Sequence, residues 1–294
     1  MLRQTAALPI ALHPLDTPAT ADLGRAAVRA LYEELALAPK PGLVSPLDSG
    51  SHSDMTVQTF LRSLFALRSY FRDIAAAGAE GADFPALNAL GRHAETRMLA
   101  ATGGINTHKG AVFMLGLLCA AAGRLRAEGR APIGDRLART ISAHWGTAIA
   151  AAAPAAGAAP ASHGERVARR YGAGGARAEA LAGFPAVFEV ALPALRAALA
   201  DTGCLRRARL QALFASMAVL GDTNVLHRGG PAGLDYVQSG AHAFLAAGGV
   251  RRSGWETRAL TLHRGCVERR LSPGGSADVL AAACFVHAVQ QAGG

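Results

Sequence analysis

Apolar residues at helical spacing recur along this chain of 294 residues, and no alternating β-branched run competes with them. That limits the fold more than any other feature. Leu23, Ala27, Leu31 and Leu35 share one helical face. Their helix must stop before Pro39, because a residue that precedes proline is pushed out of the α region. Phe60, Leu61, Leu64, Phe65, Leu67, Phe71 and Ile74 predict an amphipathic helix over residues 57–77, with Asp54 or Thr56 able to cap it. Residues 111–122 are apolar all round, which predicts a central buried helix stopped by Gly123. Further helices are expected over residues 184–200, 206–220, 234–246, 257–268 and 277–290, with Pro193 kinking or dividing the first. The expected fold is therefore all-α: one compact multi-helix domain over residues 21–294, with glycine-rich loops at helix ends, behind a loose tail of residues 1–20. Residues 124–162 carry the weakest signal. The alanine-rich run at 148–161 reads as a surface excursion rather than a linker, because motifs flank it on both sides.

Composition narrows the partners. The chain carries 28 arginines and two lysines, a net charge of +9 and a pI near 10.2, which suits nucleotides, coenzymes, nucleic acid or an acidic carrier protein. Aromatic residues are only 5% and no nucleic-acid module is visible, so nucleic acid is the weaker choice. No secretory signal is seen, and the apolar stretches are too short or too broken to span a bilayer, so no membrane association is expected. Cys119, Cys204, Cys266 and Cys284 are widely spaced without a Cys-x-x-Cys, as in a reduced, cytoplasmic protein.

Both lysines fall in glycine-bearing loops, Lys40 in APKPG and Lys109 in TGGINTHKG. A compact ammonium beside flexible backbone suits phosphate, although two lysines can also fall in loops by chance. Five segments share a texture of glycine or proline beside charge and amide at a helix end: residues 40–55, 102–110, 164–185, 221–230 and 271–278. In the second, free amides at a helix start favour anions, but the Walker spacing is absent. In the first, Asp54 can ligate Mg²⁺, accept a hydroxyl proton with His52 as partner, or simply cap the next helix. In the fourth, Gly221 ends a helix and leaves Asp222, Asn224 and Arg228 in a turn. In the fifth, Gly275 or Ser276 starts the last helix, with Asp278 in its first turn. Glu95 lies in a helical segment just before the second loop; it either points into the same pocket or pairs with Arg92 or Arg97.

KPGLVSPLDSGSHSDM, GINTHKGAVFMLGLL, YGAGGARAEALAGFP, GDTNVLHRGG and LSPGGSADVLAA occur in this order, and together they resemble the triphosphoribosyl-dephospho-coenzyme A synthase family over residues 36–283. The first motif is more similar to the malonate decarboxylase branch than to the citrate lyase branch. Ser45 stands where relatives often carry aspartate, so no role of that aspartate carries over. The resemblance implies an all-helical enzyme. It would transfer the triphosphoribosyl group of ATP to 3′-dephospho-CoA with release of adenine, making the prosthetic-group precursor of an acyl-carrier subunit. A separate transferase would pass the product on. Monomer and homodimer both stay open.

For that chemistry, the residues placed at ATP and its phosphates are Lys40, Gly42, Gly104, Asn106, Thr107, His108, Lys109, Arg177, Asn224, Arg228, Gly274, Gly275 and Ser276. Asp54 with His52 is the catalytic pair. Mg²⁺ is the expected cofactor, with Asp54, Asp222, Asp278 and Glu95 as candidate ligands. Lys40 and Lys109 are expected to face one pocket.

Overall fold

The computed structural model describes residues 18–152 and 163–292. The expected tail falls outside these residues as far as residue 17, as does most of the alanine-rich run. Twelve α-helices and no strand occur among the described residues. They are α1 (Pro18–Leu35), α2 (Val57–Ala79), α3 (Phe84–Thr102), α4 (Lys109–Ala127), α5 (Arg136–Ala151), α6 (His163–Tyr171), α7 (Gly175–Leu181), α8 (Leu192–Thr202), α9 (Leu205–Val219), α10 (Thr223–Ala246), α11 (Trp255–Glu268) and α12 (Gly274–Gln291).

α4 is the axis of the bundle. Its residues Leu115, Leu118, Cys119 and Ala120 to Ala122 are wholly buried, with α2, α12, α3 and α5 around it. Among the described residues it is also a helix long and apolar enough to cross a membrane, and most of it lies inside the protein. Small residues let its backbone meet that of α2. A Cβ on Gly123 would run into the carbonyl of Ala75, and one on Gly78 into that of Ala120. Gly123, expected to stop the helix, therefore lies within it as a packing position, and α4 continues to Ala127. Tyr70 fills the space above Gly116 and donates to the Val112 carbonyl at 2.9 Å.

Two other expectations are corrected. The helix around Pro193 is neither broken nor simply kinked: a π-helical stretch, Ala186–Ala191, runs straight into α8, which begins one residue before the proline. The wider π turn absorbs the amide that Pro193 cannot supply. Residues 223–228, expected as a turn, are helical, because Asp222 caps them. The break comes at Gly230 (φ 59°, ψ −161°), next to Pro231 inside α10. All four cysteines are free thiols. Burial pushes those of Cys266 and Cys284 up to about 12, so they serve as packing groups.

Candidate active site

Three helix N-termini meet, and a pair of carboxylates ties them together. Asp222 is the N-cap of α10: its Oδ1 accepts from the amides of Asn224 (3.0 Å) and Val225 (3.4 Å). Its Oδ2 accepts from the amide of Ser276 (2.9 Å) and the Ser276 hydroxyl (3.2 Å), in the first turn of α12. Two residues on, Asp278 reaches the first turn of α4, where it accepts from the Ala111 amide and lies so close to Gly110 that a Cβ there would strike it. The fourth, fifth and second motifs are thus brought to one place. Positive dipole ends of α4, α10 and α12 converge there, an arrangement that favours anions. Burial raises the Asp222 carboxyl above the usual range. Asp278 is half-buried, and desolvation with the nearby charges of Glu34 and Asp222 holds its carboxyl well above that range. Gly274 and Gly275 are required by the same contacts: a Cβ on either would crowd Asn224 or Asp222.

The first motif wraps the outside of this junction. Gly42 takes φ +67°, and a Cβ on it would overlap the Leu271 carbonyl, so only glycine fits. Ser51 donates to that carbonyl at 2.6 Å. Arg228 donates to the Ser51 carbonyl (3.0 Å), the Arg270 carbonyl (3.3 Å) and His52 Nδ1 (3.0 Å). Because a guanidinium can only donate, Nδ1 accepts, and Nε2 carries the proton it gives to the Ser272 hydroxyl at 2.8 Å. Burial and Arg228 push His52 down to about 4, so it is neutral at pH 7. Asp54 lies 3.6 Å from His52 Nδ1 with an exposed side chain, and it does not cap α2; Thr56 does.

The two lysines have different surroundings. Lys40 is 1% exposed, bonded to the carboxylate of Glu34 and, at 2.8 Å, to the Glu34 carbonyl. Desolvation lowers its pKa although Glu34 opposes that shift. Lys109 is exposed and pairs with Glu95 at 3.2 Å. His108 links their neighbourhoods. It lies close enough to Lys40 to feel its charge, and burial with that charge pushes it down to about 3. Thr107 donates to Ser63 (2.8 Å), which in turn bonds His108 Nδ1 (2.7 Å). His108 Nε2 is buried with no hydrogen-bond partner among the described residues. The second loop itself is a helix junction: Gly103 caps α3 in the left-handed region, Gly104 donates to Leu99 at 2.8 Å, and Asn106 Oδ1 accepts from the Lys109 amide at 3.1 Å. Arg177 donates to the Ala152 carbonyl at 2.7 Å, while Gly175 of the same motif packs against Thr223 at the start of α10.

Three partners were absent from the sequence reading. Glu34 is a buried carboxylate supplied by α1 to Lys40. His263 of α11 holds the first motif: its Nδ1 lies 2.9 Å from the Lys40 carbonyl and its Nε2 3.0 Å from Asp48 Oδ2. Ser63 of α2 supports His108. None belongs to a glycine-bearing loop. Glu34 alone had a local signal, a carboxylate on the apolar face of an amphipathic helix.

The donor chemistry bears on Mg²⁺. Among the described residues no three His, Cys, Asp or Glu side chains form a ready cage. Mg²⁺ held with a nucleotide needs only one or two carboxylates beside the phosphates. Asp222 has both oxygens committed to amides and a hydroxyl, and Glu95 is paired, which leaves Asp278 and Asp54 with spare acceptor capacity.

The sequence model of the family described as CitG: ATP:dephospho-CoA triphosphoribosyl transferase matches residues 20–294. A protein of Stutzerimonas stutzeri described as a probable 2-(5''-triphosphoribosyl)-3'-dephosphocoenzyme-A synthase is 43% identical over 288 residues, 94% of each chain. Proteins of the same description from Acinetobacter calcoaceticus and Vibrio cholerae are 41% and 38% identical, covering 89% and 92% of this chain and 88% of each relative. No solved structure matches the chain. On a match that spans all the converging motifs, the chain is a transferase and belongs to the ATP:dephospho-CoA triphosphoribosyl transferase family.

Proposed function

We propose that the chain transfers the triphosphoribosyl group of ATP to the 2′-hydroxyl of 3′-dephospho-CoA and releases adenine, in the service of a malonate decarboxylase. The observation that carries the reaction is the meeting of the α4, α10 and α12 N-termini, which offers a triphosphate three dipoles without the loop of a phosphate-cleaving enzyme. The triphosphate leaves intact, so it needs to be held and not activated. The malonate decarboxylase assignment rests on the GSHSDM run of the first motif. A separate transferase then delivers the product to the acyl-carrier subunit, in the cytoplasm.

In the reaction the acceptor oxygen bonds to C1′ of the ATP ribose as the C1′–N9 bond breaks and adenine leaves with the electron pair. The hydroxyl proton passes to a base and adenine takes up a proton. The transition state is oxocarbenium-like. Asp54 is the base: it is exposed and its oxygens are open to a substrate hydroxyl. Neutral His52, with both nitrogens engaged, orients this loop against Ser272 and Arg228. Lys109 and Arg228 hold phosphate. Lys40 acts from beneath, as a buried charge. Asp278 would be the residue to hold Mg²⁺, which would neutralise charge on the triphosphate when bound.

The test is adenine release from ATP with and without dephospho-CoA. Release that needs the acceptor is expected. Release without any acceptor would mark a nucleosidase, and none in either case would sink the reading. Asp54→Asn should lower the single-turnover rate by about 10²–10⁴ at saturating Mg²⁺; a normal rate would remove Asp54 as the base.

A further inference from the structure

A concavity lies on the far side of Leu271 from the first motif. It is a cleft of about 570 Å³ between α10 and α11, lined by Ala232, Asp235, Tyr236, Ser239, Leu262 and Arg269 and closed at its inner end by Leu271. That volume is within the range of small-molecule sites, roughly 300–1,000 Å³. Leu271 is a shared wall: its side chain closes the cleft, packing against Gly229 and Gly233, while its carbonyl takes the Ser51 hydroxyl on the site side. Exposed Arg228, Arg269 and Arg270 stand between the two. Arg228 bridges the Ser51 and Arg270 carbonyls, and Arg269 lies 4.2 Å above the Tyr236 ring.

Resting on the transferase reading above, we infer that this cleft receives the pantetheine arm of dephospho-CoA. The order of groups in the acceptor matches the order in the protein. The reacting ribose belongs at His52, Asp54 and Ser272. The pyrophosphate that follows it in the molecule meets the three arginines, which suit phosphate oxygens. The arm beyond is a chain of methylene groups broken by two amides. The cleft offers the Leu262 and Leu271 side chains and the Tyr236 ring for the methylenes, and Ser239 and Asp235 for the amides. The cleft thus selects an acceptor by its tail, while the helix N-termini hold ATP.

Ala232 and Ser239 are exposed on the cleft rim and lie outside the cluster that holds ATP, so Ala232→Trp and Ser239→Trp narrow the cleft separately. Adenine release gives KM for each substrate, with melting temperature as the check on folding. The expected result is a KM for dephospho-CoA raised about tenfold or more in a folded variant, with KM for ATP within about twofold of the parent. 4′-Phosphopantetheine, which carries the arm and one phosphate, should inhibit the parent enzyme competitively against dephospho-CoA and lose that inhibition in the variants. Unchanged KM for dephospho-CoA in both folded variants, equal rises for both substrates, or no inhibition of the parent by 4′-phosphopantetheine would overturn the subsite while leaving the reaction intact. A parent enzyme that releases no adenine with dephospho-CoA would overturn the transfer reaction and the subsite together.

Discussion

The Lys40 ammonium is buried, and what holds it there is Glu34. Removing one partner of such a buried pair leaves an uncompensated charge, whereas removing both leaves an apolar contact. Lys40→Met should therefore cost about 3–5 kcal/mol, and Lys40→Met with Glu34→Leu much less. Urea unfolding of the two proteins checks this; equal losses would show that the pair is not coupled. His108 makes a pH prediction. Its folded pKa is near 3, below the unfolded value of about 6.5. Between these values the unfolded chain binds the extra proton, so the contribution of neutral His108 to stability is whole above about pH 6.5 and declines as pH falls towards 3. Unfolding midpoints from pH 7 to 4 should drop more steeply in the parent than in His108→Gln, and parallel curves would contradict the assignment. Glu34 lies six residues from Lys40, whereas Ser63 lies 45 residues from His108. Lys40 could be noticed as a rare lysine in a loop, but not as a buried one: Glu34 gave only the weak sign of a carboxylate on an apolar helix face, and Ser63 gave none.

Asp222 couples two helix starts, with one oxygen for α10 and the other for α12. Asp222→Asn keeps an acceptor for the α10 amides but turns an NH₂ group towards the Ser276 amide. The loss of stability should stay within the range of a helix cap, about 0.5–2 kcal/mol, while kcat falls further, because the α12 start no longer holds its place beside α4 and α10. Thermal melts and steady-state adenine release separate the two; a loss of activity no larger than the loss of folded protein would refute the coupling. Helices were legible in the sequence wherever one apolar face repeats, as at 23–35 and 57–77. Their ends were less so. Gly123 resembles a stop but is a crossing point with α2, and residues 223–228 resemble a turn but are drawn into helix by the cap that precedes them. The π-helical stretch at Ala186–Ala191 had only Pro193 as a local sign.

At the scale of the whole molecule, an excess of nine positive charges meets two polyphosphate substrates under the proposed reaction. Encounter should then be steered by charge. kcat/KM for both substrates is expected to fall as ionic strength rises from about 0.05 to about 0.5 M, with kcat nearly constant, since salt screens long-range attraction more than contacts already made. A kcat/KM independent of salt would show that the arginines act on the fold and not on encounter. The sequence by itself determined the helical class, the polar glycine loops and the family, because periodicity and motif order are local or collinear properties. Only the tertiary structure decided which loops touch, that Asp222 and Asp278 join three helix N-termini, that Lys40 is sealed against Glu34, and that a cleft opens behind Leu271. Those outcomes follow from backbones approaching at small residues and from buried polar groups finding partners far along the chain, and neither leaves a repeating mark in the order of residues.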